Sequence, residues 1–266
     1  MFHSVHIPLC FQRLFPSLGV QYQEIRPHQA LFSHVAYFWR LRFKDCDYPI
    51  KITPPDGGSD IIIDRENPDS PVLFGQSTSF FTVPKEPNQD VFGVRLKPGA
   101  AHILFKVPAA DLYDAAIPLS CLLSRQEFRD YQSLMAPDLW PPQDGMIRWL
   151  TGLIDSDRKD DSPLINLQTL MERIRPGVSI DMVVKSLDSN PRQVERLFNR
   201  VYGMPPKSLL RIKRFQAVLT QKNRNAESSW SDISQNLGYS DQSHLCREFK
   251  AFTGMAPQEY FSHPLI

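Results

Sequence analysis

An α+β chain of two domains, β-rich first and all-helical after, is predicted by three observations. Short β-branched and aromatic runs separated by prolines fill residues 20 to about 107. From about Ala109 the apolar residues space out as in helices. Near the C-terminus one pattern is written twice, from Leu197 to Pro206 and from Glu248 to Pro257. In each copy a Phe (Phe198, Phe249) precedes a Gly by five residues and a Pro by eight, and the copies stand 51 residues apart. Upstream, Val183–Asp188 answers to Ile233–Gly238 at an offset of 50, so the second copy has one extra residue in its turn.

Bulk properties fit this division. A chain of 266 residues, 42% hydrophobic and 22% charged, can bury a core in each of two folded domains. No apolar run approaches the roughly 20 residues that span a bilayer. Met1–Val20 lacks the basic-then-apolar order of a signal peptide and is broken by Pro8 and Pro16, so a cytoplasmic protein with no membrane partner is expected. Cys10, Cys46, Cys121 and Cys246 show no CxxC spacing and are expected as lone, buried, free thiols. The net charge of +1 is unevenly spread: Gln168–Ile266 holds 14 Lys and Arg against 9 Asp and Glu, and the rest of the chain is acidic. A basic C-terminal part behind an acidic N-terminal part suits a nucleic-acid-binding unit joined to one of another kind.

In the first part, Phe32–Phe43 alternates with Val35, Tyr37 and Trp39 on one parity. Asp60–Asp64 is a short strand after the turn Pro54–Gly58, and Val91–Leu96 is another, closed by Lys97-Pro98-Gly99. Regular proline punctuation predicts a small barrel or sandwich, cupin-like in outline. Leu112, Leu119, Leu122, Leu123 and Phe128 predict trailing helices and Gly145–Ile154 a further one, and the apolar faces of these helices, from about Ala109 to Ile154, suit homodimer formation. The predicted domains are residues 1–154, a polar linker 155–162 and a helical domain 163–266.

Within the helical domain, Pro163–Ile174 forms one helix, and Ser179 caps a short one through Leu187. Asn190 and Pro191 supply a cap and a first-turn proline for the next, whose Val194, Leu197, Phe198 and Val201 form one apolar stripe. Pro206 opens a long basic helix to about Gln221. A second short helix begins near Ser231 and turns at Gly238-Tyr239-Ser240, and Leu245, Phe249 and Phe252 form the stripe of the helix after it. The two helix-turn-helix units are thus about 179–202 and 231–253.

A helix lying in the major groove buries one face on its own domain and turns the opposite face to the bases. Off the stripe of the first such helix stand Arg192, Glu195, Arg196, Asn199 and Arg200, and off the second Gln242, Ser243, Cys246, Arg247 and Lys250. Arg196 and Arg247 hold equivalent positions, as expected for base contacts, while Arg200 and Lys250 lie nearer the helix ends and suit phosphates. Ile233, Leu237 to Lys250, Gly254, Pro257 and Tyr260 together resemble the signature of AraC/XylS-type transcription regulators. The resemblance spans about the last 100 residues, densely in the second unit and loosely in the first. It implies a bipartite domain of about seven helices that reads successive major-groove segments of double-stranded DNA. RNA polymerase is a further partner in that setting. Three positions depart from the pattern: Asp188 where Gly is common, which predicts a strained or differently shaped turn, Ser234 for Ala, and Phe261 for Arg.

Trp39–Arg42, Pro55–Asp60 and Gly93–Ala101 resemble a poorly characterised domain found ahead of such DNA-binding domains. In that family the N-terminal part senses a small-molecule effector, dimerises, or both. Trp39, Asp56, Asp60, Arg95 and His102 are candidates to line an effector pocket; the alternative is that Trp39 is core, Asp56 belongs to a turn and Arg95 pairs with a carboxylate. No cofactor, metal site or enzyme activity is expected, since the histidines are scattered and no nucleophile, phosphate-loop or dinucleotide motif occurs. The competing functions are a β-barrel enzyme, or an interaction adaptor, carrying the helices for localisation.

Overall fold

The computed structural model describes residues 20–43, 50–79, 81–83, 89–135, 140–156 and 162–262. Cys10, Cys46, His3, His6, the N-terminal stretch and most of the 155–162 linker lie outside them. The strands are β1 (Val20–Ile25), β2 (Val35–Phe43), β3 (Ile50–Thr53), β4 (Ser59–Asp64), β5 (Val72–Phe74), β6 (Phe81–Val83), β7 (Asp90–Leu96) and β8 (Ala116–Pro118). Six of them form one antiparallel sheet in the order β1-β2-β7-β4-β5-β8, and β3 pairs with β6 in a separate ribbon.

The alternation along β4 decides which face is inside. Ser59, Ile61 and Ile63 are buried, while Asp60, Ile62 and Asp64 are half-buried on the other side. With Phe38, Phe92, Val94 and Leu96 the isoleucines form the first core. Each such side chain contributes about 1.5–3 kcal/mol on burial. Gly93 in mid-β7 is required by a close approach: a Cβ there would lie 1.9 Å from Cε2 of Trp39, its partner across the strand pair.

Three helices cover this core: α1 (Ala100–Phe105), α2 (Arg125–Leu134) and α3 (Gln143–Ser156). Ser124 caps α2 in a reciprocal box with Glu127, and Tyr131 meets Trp149 of α3 edge to face at 5.3 Å. Helix begins earlier than the spacing predicts, directly after Gly99 with its φ of 80°. Residues 109–123, expected as helix, instead form two single 3-10 turns (Ala109–Leu112 and Leu119–Cys121) on either side of β8. Pro108 and Pro118 explain the difference, because neither can donate the amide proton a helix interior needs. An edge strand tolerates Pro118, and β8 is an edge.

Seven further helices follow: α4 (Ser162–Arg173), α5 (Ile180–Ser186), α6 (Pro191–Tyr202), α7 (Pro206–Arg224), α8 (Trp230–Asn236), α9 (Gln242–Thr253) and α10 (Pro257–Ser262). They share a second core in which α7 supplies Ile212, Phe215 and Val218 between Val194 and Phe198 of α6 and Leu245, Phe249 and Phe252 of α9. Phe215 touches Phe249 and Phe252 at ring distances of 5.2 and 4.9 Å. No described helix is long and apolar enough to cross a membrane.

Candidate nucleic-acid interface

Both copies of the repeated pattern fold to the same device. The α5–α6 and α8–α9 pairs are each a short helix, a turn and a longer helix. Asn190 accepts from the amide of Gln193 at 3.0 Å and Asp241 from that of His244 at 2.6 Å, so each long helix is capped at its start. Each ends on a left-handed glycine: Gly203 (φ 64°) donates to the Asn199 carbonyl, and Gly254 (φ 75°) to that of Lys250. Pro206 and Pro257 then begin the following helices. The Phe-Gly-Pro spacing is therefore a buried anchor, a stop and a restart.

Matched positions are buried alike: Val183 with Ile233, Val194 with Leu245, Phe198 with Phe249, and Val201 with Phe252. Opposite that stripe, Arg192, Glu195, Arg196, Asn199 and Arg200 are all exposed on α6. On α9, Gln242, Ser243, Arg247 and Lys250 are exposed, and Cys246 is half-buried with its thiol pushed up by burial. The structure thus gathers the ten candidate residues on two outward helix faces. Leu197, expected on the stripe, is only half-buried, and Tyr202 takes part in its place. Ser179 occupies the cap position of α5 without a side-chain hydrogen bond, whereas Ser229 caps α8 through the Asp232 amide at 3.0 Å. The expectation of buried thiols fails at Cys121, which is exposed.

Sequence reasoning missed the group that holds α9 in place. Glu248 is buried and accepts from Arg211 Nε at 2.7 Å and Arg214 Nη2 at 3.0 Å, both on α7. Arg214 also donates to the Gly238 carbonyl in the turn and lies 4.1 Å from the centre of the Tyr239 ring. A signal existed: Glu248 falls between Leu245, Phe249 and Phe252 at stripe spacing, where a carboxylate needs a buried partner.

The three departures each have a local answer. Asp188 (φ 44°) adopts the left-handed conformation that Gly238 (φ 74°) takes in the second turn, so the turn keeps its hand and carries strain. The Ser234 hydroxyl is satisfied by the Ser231 carbonyl at 2.7 Å. Phe261 packs against Trp230 and Phe249, with ring distances of 5.6 and 6.1 Å.

The first unit also touches the β-rich part. Gln76, buried, donates to the carbonyls of Ala109 and Tyr202, tying the end of α6 to the 3-10 turn after α1. Of the pocket candidates, Trp39 donates to Asp60 at 2.9 Å, and Arg95 pairs with both Asp56 and Asp60. Burial raises the Asp60 carboxyl while Arg95 opposes that rise. These four form an ion-pair cluster on the sheet face away from the first core. His102 stands apart, its Nδ1 donating to the Val107 carbonyl at 2.7 Å. Asp56 and Arg95 border a cavity that lies between the β-rich and helical parts. Among the described residues no three His, Cys, Asp or Glu side chains gather as a metal site would require.

Comparison with known proteins completes the picture. Residues 183–263 match the model of a helix-turn-helix domain, and residues 23–118 match that of a domain of unknown function, DUF6597. No curated protein matches the sequence. Among solved structures, ToxT from Vibrio cholerae is similar at 14% identity over 91% of this chain and 96% of its own, with a TM-score of 0.41. ToxT of strain O395 is 12% identical over 93% and 98%, with the same score. ToxT of strain SCE256 with a bound unsaturated fatty acid is 13% identical over 91% and 93%, with a score of 0.37. The chain therefore carries a helix-turn-helix domain over residues 183–263, behind a β-rich domain of uncharacterised family over residues 23–118.

Proposed function

We propose that α6 and α9 read two adjacent major-groove segments on one face of a DNA duplex, and that the β-rich part governs when they do so. Arg196 and Arg247 contact guanine through bidentate hydrogen bonds, and Gln242 does the same for adenine. Arg200 and Lys250 hold phosphates, with Arg192, Glu195, Asn199, Ser243 and Cys246 completing the two faces. The observation that supports this most is the equivalence of the two helices: matched anchors inward, and only exposed or half-exposed polar groups outward.

On this reading residues 1–154 sense a small molecule, form a homodimer, or do both, the 155–162 segment joins them to the reading domain 163–266, and the protein works in the cytoplasm. The test is selection of binding sites from a random duplex pool, followed by titration of the best site across salt. Neutralising several phosphates makes the affinity fall steeply as salt rises. A pool that yields no enriched sequence would remove the reading.

A further inference from the structure

The β-rich and helical parts meet around a cavity of about 310 Å³. Tyr37 of β2 and Arg95 of β7 stand on one side of it, with Gln168 of α4, Tyr202 of α6, and Lys213 and Gln216 of α7 on the other. Three of these side chains carry a buried polar atom with no hydrogen-bond partner among the described residues: Gln168 Oε1, Gln216 Oε1 and the Tyr202 hydroxyl. Gln168 is 6% exposed and Tyr202 1%. The amide orientations follow from their other ends. Gln168 Nε2 donates to the Pro98 carbonyl at 3.0 Å, and Gln216 Nε2 donates to that of Pro55. A carbonyl only accepts, so each amide must turn its NH2 toward the backbone and its oxygen away.

Two of the cations at the cavity are ion-paired, Arg95 with Asp56 and Asp60 and Lys97 with Glu172 at 2.6 Å. Lys213 donates to the Met171 carbonyl, and burial pushes its pKa down to about 8, toward the neutral amine. What is left unmet is two acceptors and one hydroxyl, among apolar groups such as Met171 and Leu209. Buried acceptors call for donors, and an added charge here would need a partner of its own. The volume suits a molecule of about the smallest class that protein pockets hold.

We propose that this cavity binds a small uncharged molecule with an apolar body and at least two hydrogen-bond donors, of the hydroxylated aromatic alcohol or amide class, and that its occupancy is felt at the end of the first reading helix. Tyr202 is the link. It is the last residue of α6, its carbonyl accepts from Gln76, and the next residue, Gly203, abuts the Ala109 carbonyl so closely that a Cβ would lie 2.5 Å from it. A ligand on the Tyr202 ring therefore sits where α6 docks onto the β-rich part. This inference rests on the regulatory reading above and adds the place and the chemistry.

Calorimetry on the full chain tests it with four probes: 4-hydroxybenzyl alcohol and 4-hydroxybenzamide, which carry donors, and 1,4-dimethoxybenzene and 4-methylbenzoate, which supply an apolar body without donors and an anion. The donor-bearing pair should bind saturably, at least about tenfold more tightly than the other two, as one or two buried hydrogen bonds warrant. Tyr202→Phe should keep the melting temperature, having no partner to lose, and weaken those probes about tenfold. Gln168→Met gives a second reading of the same effect. No saturable binding, equal binding of the dimethoxy probe, tightest binding of the benzoate, or unchanged affinity in both variants would overturn the assignment. Fluorescence anisotropy on a selected DNA site, with and without saturating 4-hydroxybenzyl alcohol, tests the link: a change in DNA affinity of about threefold or more is expected, and no change removes it. DNA binding without probe separates the two ideas. Its absence counts against the regulator reading, whereas intact DNA binding with no probe binding counts against the cavity alone.

Discussion

The two helix-turn-helix units share a backbone and differ in how each reading helix is held. At the position where α9 has Glu248, bound to Arg211 and Arg214, α6 has the half-buried Leu197. The second turn is made by a glycine and the first by Asp188 in the same left-handed conformation. The first helix gains instead a contact the second lacks among those described, its end being tied by Gln76 to the β-rich part. The second unit is locked by an ion pair within its own domain, and the first is tied to the β-rich part. This division suits a domain in which one half anchors on DNA while the other answers to a signal.

The largest expected effect comes from breaking the lock. Glu248→Ala should destabilise the helical domain by about 2–3 kcal/mol, because it takes the charged hydrogen bonds from Arg214, which is largely buried, while the more exposed Arg211 can turn to water. Leu197→Ala, at the matching position, should cost clearly less, since that side chain is only half-buried. Equal costs in thermal or urea unfolding would erase the contrast between the units.

Next come the reading faces. Arg247→Ala and Arg196→Ala should each weaken binding to a selected site by about 1–3 kcal/mol without changing stability. If the second unit is the anchor, Arg247→Ala is the more damaging of the two; the reverse order, or no loss in either, would show that the faces are misassigned.

The turns give smaller and opposite effects. Asp188→Gly should stabilise by up to about 1 kcal/mol by relieving the left-handed strain, and Gly238→Ala should destabilise by about 1–2 kcal/mol by creating it. Two changes of the same sign would mean that the turns are not equivalent.

The caps give the smallest. Asp241 is held below the usual carboxylate range chiefly by the hydrogen bond from the His244 amide. A carboxyl lowered on folding lends stability that is present above its unfolded value near 3.8 and is lost as pH falls through the lower folded value. Asn190 does not titrate. Acid should therefore loosen the start of α9 before that of α6, seen as earlier amide exchange, and Asp241→Asn should abolish the difference.

Much of the reading domain is legible along the chain itself. Asn190-Pro191, Asp241, the glycines at 203 and 254 and the prolines after them mark helix ends by local chemistry, and the stripes of α6 and α9 follow from period alone. The run from Ala109 reads as helix, but Pro108 and Pro118 withhold the amide protons a helix needs and β5 accepts β8 as a sixth strand. Trp39, Asp60 and Arg95 read either as pocket residues or as structural ones, and only the register, which sets Asp60 against Arg95 and Trp39 over Gly93, shows which side chains meet.

By itself the sequence determined the number, ends and inward faces of the reading helices, because helices are built from contacts three and four residues away. Tertiary structure alone decided the strand order, which two arginines meet Glu248, and a cavity whose walls Pro98 and Gln168 link across 70 residues of chain. Such groups meet only when elements distant along the chain pack together, and no spacing along the chain records where they will touch.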